Sequence, residues 1–244
     1  MTELYVVERH HELLHLWRRQ KVKDIDLVHV DFHDDLRGLV IDHRRCKAYR
    51  KRLFGLSSAP LDEGNFLMYA IEEGILNRIR WVHGPVGGRA YDLGIVKYEG
   101  DISAYPYRIA HFLRRDMEFA VDFQEILVDE WGGCDENQHL DIDWDCFAAI
   151  DLDSAGIRSR FESFMKKVGE HSPPVIYLCY SPGYVHPSQS EFLVALEQLA
   201  KRYDAEPFWL NPSFLDDAPV VRPETPPLSL GQKIISQMRR KGIY

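Results

Sequence analysis

The sequence predicts an α/β protein of three layers, with helices covering both faces of a mainly parallel sheet. Two observations carry this expectation. Short apolar runs alternate along the chain with longer stretches of helical periodicity, the pattern of βαβ units. Two of those runs, 25–30 and 139–142, end in clusters of acidic residues. In a parallel sheet the carboxyl ends of the strands are where sites open, because both faces are already covered.

In chain order, 4–7 reads as the first strand, and 11–19 as a helix with Leu13, Leu14 and Trp17 at helical spacing. The second strand is 25–30. The basic stretch 36–55, with Arg44, Arg45, Arg50, Lys51 and Arg52, reads as a solvated helix; a docking surface for an acidic peptide is the alternative. A helix over 65–73 places Phe66, Tyr69 and Ala70 on one face and stops near Gly74. Residues 79–82 form a strand and 84–88 a loop, while 91–119 has no clear period. Strands at 124–128 and 139–142 follow, then a helix at 157–168, a buried strand at 175–179 and a long amphipathic helix at 187–203. Residues 216–227, rich in proline and acid, read as a linker. A last amphipathic helix at 229–241 packs either on the domain or on a second subunit, so homo-oligomerisation stays open. The expected division is therefore a catalytic domain over 1–215 and an appendage over 216–244.

A chain of 244 residues with 45% hydrophobic and 28% charged content is ordinary for a globular protein with a real core. No run reaches the ~18–20 apolar residues of a membrane span, and no secretory signal is visible at the start, so no membrane partner is expected. The four cysteines are scattered, as in reduced thiols, which points to the cytoplasm rather than to a disulfide scaffold. A net charge of −8 argues against nucleic acid as a partner and suits a cationic substrate.

The chemistry concentrates in His29-Val30-Asp31-Phe32-His33-Asp34-Asp35. In an extended chain alternate side chains share a face, so Asp31, His33 and Asp35 converge, with His29 below them. Carboxylates suit hard divalent ions, and the imidazole tilts the choice towards Mn²⁺, Zn²⁺ or Fe²⁺. Leu140-Asp141-Ile142-Asp143-Trp144-Asp145 repeats the arrangement with Asp141 and Asp143 on one face. Buried carboxylates in such number are costly without a cation. Two acidic strand ends supply donors for two ions.

D-x-H-x-D followed far downstream by D-x-D resembles the metal-binding signature of the ureohydrolase (arginase and agmatinase) superfamily. Glu8-Arg9-His10-His11 stands at about the separation of that family's remaining histidine ligand, and Gly64-Asn65 resembles its substrate-loop Gly-Asn. A divergent branch opens with Val-Glu-x-His-His and carries His-x-Asp-x-His-x-Asp, Asp-x-Asp-x-Asp and Ser-Pro-Gly-Tyr. All are present here, the last at 181–184. That branch includes peptide arginases, which convert arginine in ribosomally made peptides to ornithine.

The resemblance covers roughly 3–215. It implies an arginase-like fold, two Mn²⁺ per chain and an arginine-containing peptide as substrate. It further implies that His10 and Asp35 bind one ion, His33 and Asp143 the other, and that Asp31 and Asp141 bridge. His10 against His11 is open at this stage, because phase depends on whether the segment is extended or helical. Asn65 is carried over as a substrate contact. Glu8, Asp145 and Glu206 are candidate guanidinium partners, His11 and His139 candidate proton shuttles. His29 is read as buried support rather than as a ligand, and Tyr180 and Tyr184 either line the pocket or pack under a turn.

Three departures stand out. The family's shuttle histidine position holds Leu67, Trp209-Leu210 rather than an acid precedes Asn211-Pro212, and the chain begins well after where an arginase would. These departures direct the expectation away from free arginine and towards arginine within a peptide; the alternatives are a deacetylase-like metal-dependent amidohydrolase and a non-catalytic peptide-binding module on the same scaffold.

Overall fold

The computed structural model describes residues 2–36, 39–42, 47–50, 61–84, 117–148, 153–168, 172–182 and 189–210. Seven strands among them form one sheet, in the order β10-β1-β9-β8-β2-β5-β7. They are β1 (Glu3–Val7), β2 (Ile25–Val30), β5 (Leu76–His83), β7 (Asp122–Leu127), β8 (His139–Asp143), β9 (Val175–Cys179) and β10 (Pro207–Trp209). Every pairing in this sheet is parallel. A smaller antiparallel sheet joins β3 (Leu39–Asp42), β4 (Lys47–Arg50) and β6 (Met117–Ala120).

Two cores, one on each face, make the three layers. On one face, helices α1 (Glu12–Gln20) and α2 (Phe66–Glu72) cover Val7, Leu27, Ile79, Tyr177 and Cys179. On the other, α3 (Ser154–Lys167) and α4 (Gln189–Tyr203) cover Leu4, Val6, Val28, Val30, Leu140 and Ile142. Neighbouring strand residues go to opposite cores, as the two-residue pleat requires. Trp17 of α1 is fully buried, its ring edge-on to Tyr177 at 5.7 Å. Side chains of this size contribute about 1.5–3 kcal/mol each on burial. Helix α3 starts cleanly because the Asp153 carboxylate accepts the Gly156 N–H at 2.8 Å, a cap worth about 1 kcal/mol. Gly133 is obligatory: it has φ 109°, and a Cβ there would meet the Lys167 carbonyl oxygen at 2.8 Å.

The described parts of the basic stretch are strands rather than a helix. β3 and β4 pair with Leu39 opposite Arg50 and Asp42 opposite Lys47. The β-branched pair Val40-Ile41 favours strand, whereas charge reports only which groups stay wet. The basic residues at 43–46 and 51–52 lie outside the described residues, as do Tyr184 and the expected linker and helix over 216–244. β6 and β10 are strands that periodicity did not reveal. No helix among the described residues is long and apolar enough to cross a membrane.

Candidate metal centre

Strand register assembles the site. β2 lies beside β8 with His29 opposite Asp141, and β8 lies beside β9 with Asp143 opposite Cys179. Adjacent strands are ~4.8 Å apart, so side chains on one face of neighbouring strands meet. His29, Asp141, Asp143 and Cys179 all project to the α1/α2 face, and Asp31 follows directly after β2. The Trp81 indole N–H donates to the Asp31 carbonyl oxygen at 3.1 Å, holding that strand end in place.

His10 enters from the loop after β1 and lies over the carboxylates. Its Nε2 is 2.9 and 3.0 Å from the two Asp141 oxygens. Its Nδ1 is 3.0 Å from Asp35 Oδ2, 3.1 Å from Asp143 Oδ2 and 3.3 Å from Asp31 Oδ2. His29 Nδ1 is 2.8 Å from Asp141 Oδ2, and its Nε2 is 3.3 Å from Asp31 Oδ2. On the far side of Asp31, His33 Nδ1 is 2.8 Å from Asp145 Oδ2 and 3.4 Å from Asp31 Oδ1. Phe66, the first residue of α2, closes the floor with its ring 4.7 Å from that of His10. Asp35 and Ser181 both have positive φ, 50° and 49°, a strained backbone that clusters at functional sites.

Burial alone would depress His10, yet the carboxylates, Asp141 foremost, hold it well above its ordinary range. Burial would raise Asp31, but the imidazoles of His10, His33 and His29 around it hold it well below the usual carboxylate range. Burial and the charge of Asp31 push Asp35 up to about 7, and burial with Asp143 pushes Asp145 well up. The protein's own groups thus neutralise only part of the acid.

The donor set fits divalent cations. His10, His29, Asp31 and Asp141 are completely buried. His10 Nδ1, His29 Nε2, Asp31 Oδ2 and Asp145 Oδ2 carry no hydrogen bond. Ligand atoms lie within 4.8 Å of one another in four groups: His10, Asp31 and Asp35; His10, His29 and Asp141; His10, Asp143 and Cys179; and Asp31, His33 and Asp145. Asp31 belongs both to a His10 group and to the His33 group, the position a shared ligand between two ions requires.

The structure brings together His10, Asp31, His33, Asp35, Asp141 and Asp143; His10, Asp31 and Asp35 group as expected, and the others pair differently. Asp141 sits with His10 and His29, and Asp145 rather than Asp143 stands against His33. His29 is no remote support; it lies inside the strand and faces the cluster. His11 falls outside the four groups: it stands at the start of α1, half-buried against His15, and burial lowers its pKa. Glu8 contributes its backbone, its carbonyl oxygen accepting the Ser181 N–H at 3.0 Å. Asn65 is fully buried with Oδ1 accepting the Asp62 N–H at 2.9 Å, so that oxygen holds a turn. Glu206 is exposed and precedes β10, which puts it at the amino ends of the strands, away from the cluster. His139 lies low on the sheet with Nδ1 3.0 Å from the Tyr177 hydroxyl, and Tyr180 packs on Phe192 in the opposite core.

Two residues escaped the sequence reading. Cys179 ended a strand already recognised as buried. Glu63 sits two residues before Asn65, in the turn leading into Phe66. Burial raises the Glu63 carboxyl, and the charge of Asp143 raises it further. Its carboxylate pairs at 3.9 Å with Arg9, the neighbour of His10.

No family model and no curated protein matches the chain. Among solved structures it is similar to a proclavaminate amidino hydrolase from Streptomyces clavuligerus, at 14% identity and TM-score 0.45, over 83% of this chain and 63% of that one. It is also similar to a T. brucei arginase-like protein, a triple mutant bound with Mn²⁺, at 16% identity and TM-score 0.41, over 82% and 59%. The chain therefore spans about three-fifths of the length of these structures.

Proposed function

We propose that the chain is a metal-dependent hydrolase of guanidinium groups, with two Mn²⁺ per chain, converting arginine in ribosomally made peptides to ornithine and urea in the cytoplasm. The observation that carries this reading is the buried cluster at the strand carboxyl ends, with Asp31 common to two groups of ligand-type side chains. His10, His29, Asp31, Asp35, Asp141 and Asp143 would hold one ion, and Asp31, His33 and Asp145 the other. Bound divalent ions supply a water acidified towards neutral pH. Water adds across a C–N bond of the guanidinium, and the ornithine amine and urea are the two products. The free cysteines Cys134, Cys146 and Cys179 suit a reducing compartment.

Glu63 is the acid placed to hold the cationic head over the cluster. Its side chain is 20% exposed, so it is reachable from solvent, and it sits in the turn that delivers Phe66 to His10. Glu63→Gln is expected to raise KM by roughly 10- to 100-fold, the worth of one charged contact, with metal content unchanged. An unaltered KM would remove Glu63 from the substrate site.

Leu67, in the first turn of α2, is packed in the core and has no proton to move. That departure supports a substrate held by contacts other than those for a free amino acid. The test compares free arginine with an arginine-containing precursor peptide at matched concentration with Mn²⁺. Urea release and a stepwise mass decrease of the peptide, once per converted arginine, are expected. Faster release from free arginine with the peptide unchanged would overturn the peptide reading.

A further inference from the structure

We propose that Cys179 is a sulfur ligand of the metal centre, so that the His10 side of the cluster prefers softer ions of the zinc and cobalt type while the His33 side remains oxygen-rich. The inference rests on the metal-centre reading and replaces Mn²⁺ with a softer ion on the His10 side alone.

Cys179 ends β9 directly opposite Asp143, on the face that carries His29 and Asp141. It is completely buried, and its Sγ lies with a His10 nitrogen and an Asp143 oxygen within 4.8 Å of one another. A buried free cysteine usually behaves as a small hydrophobe. This one faces an imidazole and a carboxylate instead. Among the described residues the thiol's hydrogen-bond partners are the Glu8 carbonyl oxygen at 3.7 Å and the Ser181 hydroxyl at 3.2 Å. The Ser181 hydroxyl donates to Asp143 Oδ2 at 2.6 Å, which orients the neighbouring donor of the same group. His10 Nδ1, fully buried and without a hydrogen bond, belongs to the same space.

A thiolate beside His10 and Asp143 gives this side of the cluster the nitrogen, oxygen and sulfur donors that zinc takes. Thiolate ligands favour zinc over manganese, whereas the Asp31, His33 and Asp145 group offers no sulfur. On binding, the thiol proton leaves to solvent as the sulfur–metal bond forms.

The test titrates the metal-free protein with Co²⁺ alone. Wild type and Cys146→Ser should both show a sulfur-to-cobalt charge-transfer band in the near ultraviolet. Cys179→Ser should lose that band while keeping the visible ligand-field bands. After dialysis against equal zinc and manganese, the retained zinc-to-manganese ratio should fall about tenfold or more in Cys179→Ser. X-ray absorption on zinc-loaded wild type needs no variant and should show a sulfur scatterer at about 2.3 Å. Cobalt bound without the band, or a band surviving in Cys179→Ser, overturns the assignment and leaves the metal centre standing. Failure to bind cobalt at all overturns both.

Discussion

Asp31→Asn is expected to leave the protein folded but unable to hold two ions, and to cut activity by more than 100-fold. Removing a residue that merely supports a ligand typically costs 10–100-fold in metal affinity or activity. Asp31 stands in a different position, since it is the one residue shared by the His10, Asp35 group and the His33, Asp145 group. The substitution keeps shape. It also keeps an oxygen able to accept the His33 backbone N–H, now 2.7 Å from Asp31 Oδ1. What it deletes is the charge between two imidazoles and the oxygen that carries no hydrogen bond. Elemental analysis of the purified variant is the measurement. Two tightly held ions per chain in Asp31→Asn would refute the shared-ligand role.

Stripping metal from the wild-type protein should lower Tm by roughly 10 °C. A cation that binds only the folded state at about 1,000 times its Kd contributes about 4 kcal/mol. Each 1 kcal/mol moves Tm by about 2–4 °C in a chain of this size. The sign is clear from the site: without a cation, the buried carboxylates Asp31, Asp35, Asp141, Asp143 and Asp145 face each other with three histidines to compensate them. Calorimetry with and without chelator, on samples whose metal content has been measured, reads the effect. An unchanged Tm after complete removal would show that the cluster is neutralised by its own histidines.

The carboxylates and histidines of the centre were legible because two physical rules suffice to find them. Alternate residues of a strand share a face, and parallel sheets open at their carboxyl ends. Both rules act within a single stretch of chain, as in 31–35 or 141–143. Which group meets which is decided by register between distant strands. Nothing local says that β8 lies between β2 and β9, or that Asp143 stands opposite Cys179. Hence the interchange of Asp143 and Asp145 beside His33, and the passing over of Cys179. Glu206 failed for a related reason: its type suited a cation, but strand direction put it at the wrong end of the sheet. His10 over His11 was settled by the turn between β1 and α1, where the two adjacent rings diverge, one to the carboxylates and one to His15.

The position of β1 in the sheet sets an order of events during synthesis. It is made before every other described strand, yet its strand partners among the described residues are β9 and β10. With translation at about 5–20 residues per second, the chain waits on the order of ten seconds before β9 exists for β1 to dock on. Until then His10 has no route to Asp141, and the acidic ends of β2 and β8 must pass that interval without it. Pairings so distant in sequence are slow to form and late to lock. The ion is therefore captured after β9 has been made rather than by a nascent hairpin, and closure of the β1–β9 seam is the step that commits it.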